Sequence, residues 1–150
     1  MGRIGIVFGM AWALAIGLTG AAWAHCEIPC GIYGDEIRFN LLAEHLTTIE
    51  KAMGQIQELE KAEGGNSNQL IRWVVNKEEH ATAFQEIASQ YFLTQRIKPD
   101  MPQYERQLAL LHGMLAGAMK CKQTTDPAAV TSLRALLQEF QTLYLGKAGK

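Results

Sequence analysis

The sequence predicts an all-α protein, an antiparallel four-helix bundle preceded by a short N-terminal hook. Three observations carry that prediction. Apolar residues recur at three- and four-residue steps in four separate stretches after residue 35, the mark of amphipathic helices. The breaks between these stretches are short and hold Gly, Pro, Asn and Asp, so successive helices must double back on one another. Strand-like alternation, internal repeats and low-complexity runs are absent from the sequence. At 150 residues the chain suits a single domain, and a formal net charge of −1 gives no electrostatic footprint for nucleic acid.

The first helix is expected to start at Asp35, an N-cap residue type. Its stripe is Ile37, Leu41, Leu42, Leu46, Ile49, Met53, Ile56 and Leu59, and Gly64-Gly65 ends it. Asn66 or Ser67 caps the second helix, whose stripe is Leu70, Trp73, Val74, Phe84, Ile87, Ala88, Tyr91 and Phe92. Its middle, NKEEHAT, is polar and expected to be solvated. Pro99 and Pro102 break the chain. The third helix places Tyr104, Leu108, Leu111, Leu115, Ala118 and Met119 on one face. In TTDP, Asp126 caps and Pro127 takes the first position of the fourth helix, which carries Val130, Leu133, Leu137, Phe140 and Tyr144. The tail GKAGK is expected to fray. These stripes are explained by burial alone and need no cofactor.

Residues 1–24 read as a segment outside the fold. Arg3 precedes a long apolar run that closes on Ala22-Trp23-Ala24, the layout of a cleaved secretory signal with an A-x-A site. Ile4 to Ala22 is also close to the ~20 residues that span a bilayer, so a retained anchor is the alternative. Cleavage divides the chain into the leader 1–24, a hook 25–34 and the bundle 35–150. The mature protein is then expected in the periplasm or outside the cell, with no stable membrane association, where a thiol is oxidised unless bridged or bound to metal.

The hook reads HCEIPCGIYG, and cleavage after Ala24 would make His25 its free N-terminus. The His25 amine and the Cys26 amide nitrogen can close one five-membered chelate ring on a metal. The Cys26 amide nitrogen and thiolate close a second. Cys30 can complete the plane, with Pro29 stiffening the intervening turn. The His25 imidazole is tethered where it can approach from the axial side. Planar nitrogen and sulfur donors suit Ni(II) or Cu(II), whereas zinc prefers a tetrahedron. Thiolates and an ionised amide stabilise the higher oxidation state, which permits one-electron chemistry.

With those residues in view, the segment resembles the metal hook of nickel superoxide dismutases, H-C-x-x-P-C-G-x-Y at the mature N-terminus. His25, Cys26, Pro29, Cys30, Gly31 and Tyr33 match every fixed position. QLIRWVVNKEEHA and QYFLTQRIKPD are more weakly similar to the second-helix region of that family. The resemblance implies superoxide disproportionation to O2 and hydrogen peroxide by one nickel ion per subunit. It implies His25, Cys26 and Cys30 as ligands, His25 and Tyr33 as catalytic residues, and a homo-oligomer, a hexamer in that family. Tyr33 would order water or superoxide at the pocket mouth.

Two positions depart from the family pattern. There, a first-helix glutamate hydrogen-bonds the axial imidazole and a second-helix arginine pairs with it. Arg72 falls at the arginine position, but the glutamate position falls near Leu41 or Leu42, with Glu44 the nearest acid. Such outer partners tune a metal site, so copper in the same hook stays open at this point. The other departure is the export signal, which takes the place of a short propeptide.

Non-catalytic alternatives are an exported metal-delivery protein using the same chelate, and a structural bundle with a Cys26–Cys30 disulfide. A c-type haem needs C-x-x-C-H, which is absent. Glu79-His80 lacks the second Glu-x-x-His of a di-iron bundle. His45, His80 and His112 fall on helices without an assigned role, and Cys121 reads as a buried small hydrophobe. Lys51, Lys61, Lys77, Lys120 and Lys122 are expected at the surface, where some could steer anionic superoxide.

Overall fold

The structure, a computed structural model, describes residues 34–64 and 66–146. Four helical segments account for nearly all of them: α1 Asp35–Lys61, α2 Ser67–Glu86 running on into a π-helix Ile87–Arg96, α3 Tyr104–Gln123 and α4 Pro127–Leu145. Among the described residues there is no strand. Cross-helix pairs set the topology. Asp35 at the start of α1 meets Tyr91 at the end of the second arm and Tyr144 at the end of α4. Gln57 near the other end of α1 reaches the Thr125 carbonyl just ahead of α4. Gln85 meets Leu115 while Lys77 meets Cys121, and Arg106 at the start of α3 pairs with Glu139 late in α4. Each helix therefore runs antiparallel to its neighbours, an up-down-up-down bundle.

The core follows the expected stripes with local shifts. Leu42, Leu46, Ile49, Met53 and Ile56 of α1 are buried, as are Phe84, Ala88, Tyr91 and Phe92 of the second arm. All five apolar positions expected of α4 are buried. Phe39 joins them, and its ring packs on Phe92, Phe140 and Tyr144 with centroids 4.7, 5.7 and 5.8 Å away. Such tilted and edge-on contacts suit the ring quadrupoles. Three expected core positions instead face out: Ile37, Val74 and Met119 are 55%, 39% and 52% exposed. Ile37 lies two residues from both Asp35 and Phe39, so at 100° per residue it points away from the side of α1 that meets the π-helix and α4. On α3 the buried face is Leu110, Leu111, Met114, Ala118 and Cys121, which is rotated away from Met119.

Several ends behave as their residues dictate. Asn66 caps α2 by accepting from the Gln69 amide, and Asp126 caps α4 by accepting from the Ala128 amide with Pro127 next in line. The start of α1 differs from expectation. Gly34 is the N-cap, without a side-chain bond, and Asp35 sits inside the first turn with its carboxylate committed elsewhere. Helix α1 stops at Lys61, before the glycine, and Gly64 takes a left-handed turn at φ 84°. Helices α3 and α4 approach closely because Gly113 and Gly117 face α4. A Cβ at Gly117 would stand 3.1 Å from Leu133 Cδ1. Of the expected fraying tail only Gly146 is described, as a turn.

The largest departure is Lys77. The NKEEHAT stretch is expected to be solvated, yet Lys77 is 3% exposed. Its ammonium donates to the Cys121 carbonyl at 2.9 Å and to the Lys122 carbonyl, and pairs with Glu78 at 3.1 Å. The last carbonyls of a helix have no partner inside it and carry its negative dipole end. Lys77 supplies both donor and charge to the end of α3, so burying it satisfies more groups than it strands.

Candidate functional site

The residues singled out by the sequence, His25, Cys26, Cys30 and Tyr33, lie outside the described residues, as does the leader. The described part begins at Gly34, and the structure is informative about what receives the chain there.

Asp35 anchors a four-residue cluster. Its Oδ1 accepts from the Tyr91 hydroxyl at 2.6 Å and lies 3.2 Å from Arg96 Nε. Its Oδ2 accepts from the Tyr144 hydroxyl at 2.8 Å. Arg96 Nη2 donates in turn to the Tyr91 oxygen at 2.8 Å, and the guanidinium lies over the Tyr91 ring, as does that of Arg38. Burial, then the bond to Asp35, raises both tyrosine hydroxyls above their ordinary pKa. The bond to Tyr91 likewise holds the Arg96 proton more tightly.

The π-helix makes this cluster possible. In an α-helix, residues five apart point about 140° away from each other. With i→i+5 bonding they stack on one face, so Tyr91 and Arg96 arrive together. Side chains reinforce the wide turn. Thr94 Oγ1 donates to the Ser89 carbonyl at 2.8 Å and Gln95 Nε2 to the Gln90 carbonyl at 2.9 Å, both five residues back. The Ile97 amide closes the segment on the Phe92 carbonyl.

Between α1 and α2, His45 Nδ1 and His80 Nδ1 are 2.9 Å apart, so one ring donates and the other accepts. Burial, then the neighbouring His80, lowers the His45 pKa, against a weaker pull upward from Glu44. Leu42 is buried, Leu41 is half-buried, and Glu44 and Arg72 are exposed. On α2 the basic group facing α1 at this level is therefore His80. Among the described residues no three ligating side chains gather in a metal site. The Cys121 thiol is buried in the core with its pKa pushed up by desolvation, as a structural cysteine should be. Also among the described residues, no helix is long and apolar enough to cross a membrane.

Residues 20–147 match the profile of the family described as nickel-containing superoxide dismutase, a span that takes in both the hook and the bundle. The chain belongs to that family. As a nickel superoxide dismutase it is an enzyme, its metal is nickel and its substrate is superoxide. Of the two metals that the donor set suits, family membership selects nickel. No curated protein and no solved structure matches the chain.

For a nickel superoxide dismutase, the Asp35 cluster is the feature that sequence reasoning passed over. Tyr91 reads there as one more core aromatic, and Arg96 has no role assigned to it. Their relation depends on a five-residue spacing that a 3.6-residue period hides.

Proposed function

We propose that the nickel is held by the segment 25–34, with the His25 amine and imidazole, the Cys26 amide nitrogen and thiolate, and the Cys30 thiolate as donors. The observation that carries this reading is the motif itself. Every fixed position of the family's hook is present, in order, directly after Ala22-Trp23-Ala24 and inside the matched span. The donor set fits the metal. Nickel in a one-electron role needs soft, strongly donating ligands, and Cys26 and Cys30 supply thiolates where Cys121 is engaged in the core. Bound there, nickel would supply a one-electron couple for superoxide disproportionation.

The chain's own residues do the rest. Removal of the leader 1–24 converts the His25 nitrogen from an amide into an amine with a pKa near ~8, so it binds metal at neutral pH. Tyr33 holds superoxide or water through its hydroxyl. Two superoxide anions and two protons become O2 and hydrogen peroxide, and a phenol near the substrate orders the water that delivers those protons. The bundle 35–150 carries the hook. The enzyme works in the periplasm or outside the cell, as a homo-oligomer, a hexamer on the family resemblance, without stable membrane association. Ile71 and Val75, 62% and 46% exposed on α2, offer apolar surface for subunit contact.

The test is a single natively exported preparation, with the N-terminus read by mass spectrometry and metal counted by elemental analysis. A chain starting at His25 with about one nickel per subunit supports the reading. One residue more at the N-terminus, or a metal-free Cys26–Cys30 disulfide, overturns it.

A further inference from the structure

We infer that His45 and His80 form a separate metal site on the bundle, where a divalent cation such as copper(II) or nickel(II) is held between α1 and α2 by both Nδ1 atoms. The site lies wholly among the described helices and does not depend on the hook. Imidazole nitrogen is the commonest metal ligand in proteins. The two nitrogens are 2.9 Å apart, with the rings inclined at 64° and their centroids 5.1 Å apart. At metal–nitrogen bonds of about 2.0–2.1 Å, donors at a right angle stand about 2.9 Å apart and tetrahedral donors about 3.3 Å. The observed separation is that of neighbouring positions on a square or octahedral ion, which suits copper(II) and nickel(II) better than zinc. Without a cation, one ring donates a proton to the other across the gap. A cation takes that place once the donor ring moves its proton from Nδ1 to Nε2, so both lone pairs are free and no net proton is released. The rings now meet nearly head on, and each must turn by about 45° to face a shared ion, which the broad χ2 torsion of histidine allows.

The surroundings suit a cation. Both histidines are half-buried, so an ion can reach them from solvent. Burial, then His80, lowers the His45 pKa, which leaves its lone pair available at neutral pH, while the Glu44 carboxylate favours positive charge there. A buried acceptor also waits nearby. Lys51 lies over the Trp73 ring, and this contact and the histidine pair mark the face of α2 that meets α1. Asn76 falls between Trp73 and His80 on that face, one turn from His80. Its Oδ1 is buried and accepts no hydrogen bond from any described residue. Water bound to a metal ion is a strong donor, and one held at the histidine pair is placed to satisfy that oxygen. No third His, Cys, Asp or Glu joins the pair among the described residues, so water fills the other positions and the ion exchanges readily. Binding only the folded chain, the ion fastens α1 to α2 and adds stability.

The probe is copper(II), which binds imidazole most tightly of the divalent series. The full mature chain, loaded with nickel and carrying isotopically ring-labelled histidine, is dialysed against copper(II) beside His45→Gln, His80→Gln and His112→Gln. Glutamine keeps hydrogen-bonding capacity between the helices, and His112 on α3 controls for casual binding by a surface histidine. The wild type and His112→Gln should each take up one copper beyond the nickel, with paramagnetic splitting from two labelled rings. Copper should raise their Tm by about 5 °C or more at a hundredfold excess over Kd. His45→Gln and His80→Gln should each bind at least about tenfold more weakly, lose the two-ring splitting and show no rise in Tm. Equal uptake in the wild type and both variants overturns the inference. So does copper that couples to one labelled ring or none, since the hook holds a single histidine. If the glutamine variants do not fold, the two-ring splitting in the wild type decides alone. The readouts are copper count, splitting and Tm, so a chain whose hook takes up no nickel overturns the hook assignment and leaves this contrast intact.

Discussion

Tyr91 and Arg96 are five residues apart and share one face, with the guanidinium carbon 4.8 Å from the ring centroid and Nη2 2.8 Å from the phenol oxygen. Only the wide turn of the π-helix allows both contacts, and both side chains then converge on Asp35. The helix irregularity thus serves the start of α1, where the described chain begins.

Tyr91 and Tyr144 should titrate late. Both donate to Asp35 and both hydroxyls are pushed up by burial first and by that bond second. The folded state therefore holds these protons after the unfolded chain has released them, so stability is intact below the ordinary tyrosine pKa near ~10 and falls as pH rises through it. Absorbance at the phenolate band should show a late step that moves down on Asp35→Asn. A single step at the ordinary pKa in the folded protein would contradict the bonds to Asp35.

Much of this molecule is legible in its residues, and the gaps have physical causes. Periodicity locates the four helices, and Asp126-Pro127 and Asn66 set two starts because cap chemistry is local. The proposed hook can be read as a motif because its donors all fall within residues 25–30. Lys77 is not, since its burial depends on carbonyls of Cys121 and Lys122, and a lysine carries no local sign that a helix end will arrive. The π-helix is hidden for a related reason. Phe84, Ala88, Tyr91 and Phe92 also fit an α-helical stripe, and the extra residue per turn shows only beyond them, in the bonds from Thr94 and Gln95.

Lys77→Met should cost about 1–3 kcal/mol, the price of leaving buried carbonyls without their donor, while the methionine fills the aliphatic space. Urea unfolding followed by circular dichroism reads this directly. A neutral result would mean that water reaches the end of α3 and replaces the ammonium.

Acid should loosen the α1–α2 contact. Burial, then His80, holds the His45 pKa below its ordinary value, with Glu44 opposing. The unfolded chain therefore binds a proton at His45 before the folded one does. Stability from this group is complete above about pH 6.5 and is lost as pH falls through the depressed folded value. His45→Gln should show a smaller drop in Tm between pH 7 and pH 5 than the wild type. Identical drops would remove the histidine pair as the cause.

His25→Ala should keep the amine, the amide nitrogen and both thiolates while losing the imidazole. Nickel content should therefore persist and superoxide turnover should fall by tenfold or more, the usual weight of a tuning ligand. Pulse-radiolysis rates on metal-replete samples decide it, and unchanged turnover would show that the imidazole has no part in the reaction. Tyr33→Phe, measured beside it, should raise the KM for superoxide more than it lowers kcat.

The bond from Tyr144 to Asp35 joins positions 109 apart in sequence. A ribosome adding roughly 5–20 residues per second completes the last helix some 5–20 s after residue 35 has been made. Throughout that interval Asp35 Oδ2 lacks the hydroxyl it will accept from, so the start of α1 gains its full set of bonds only once the last helix has been made.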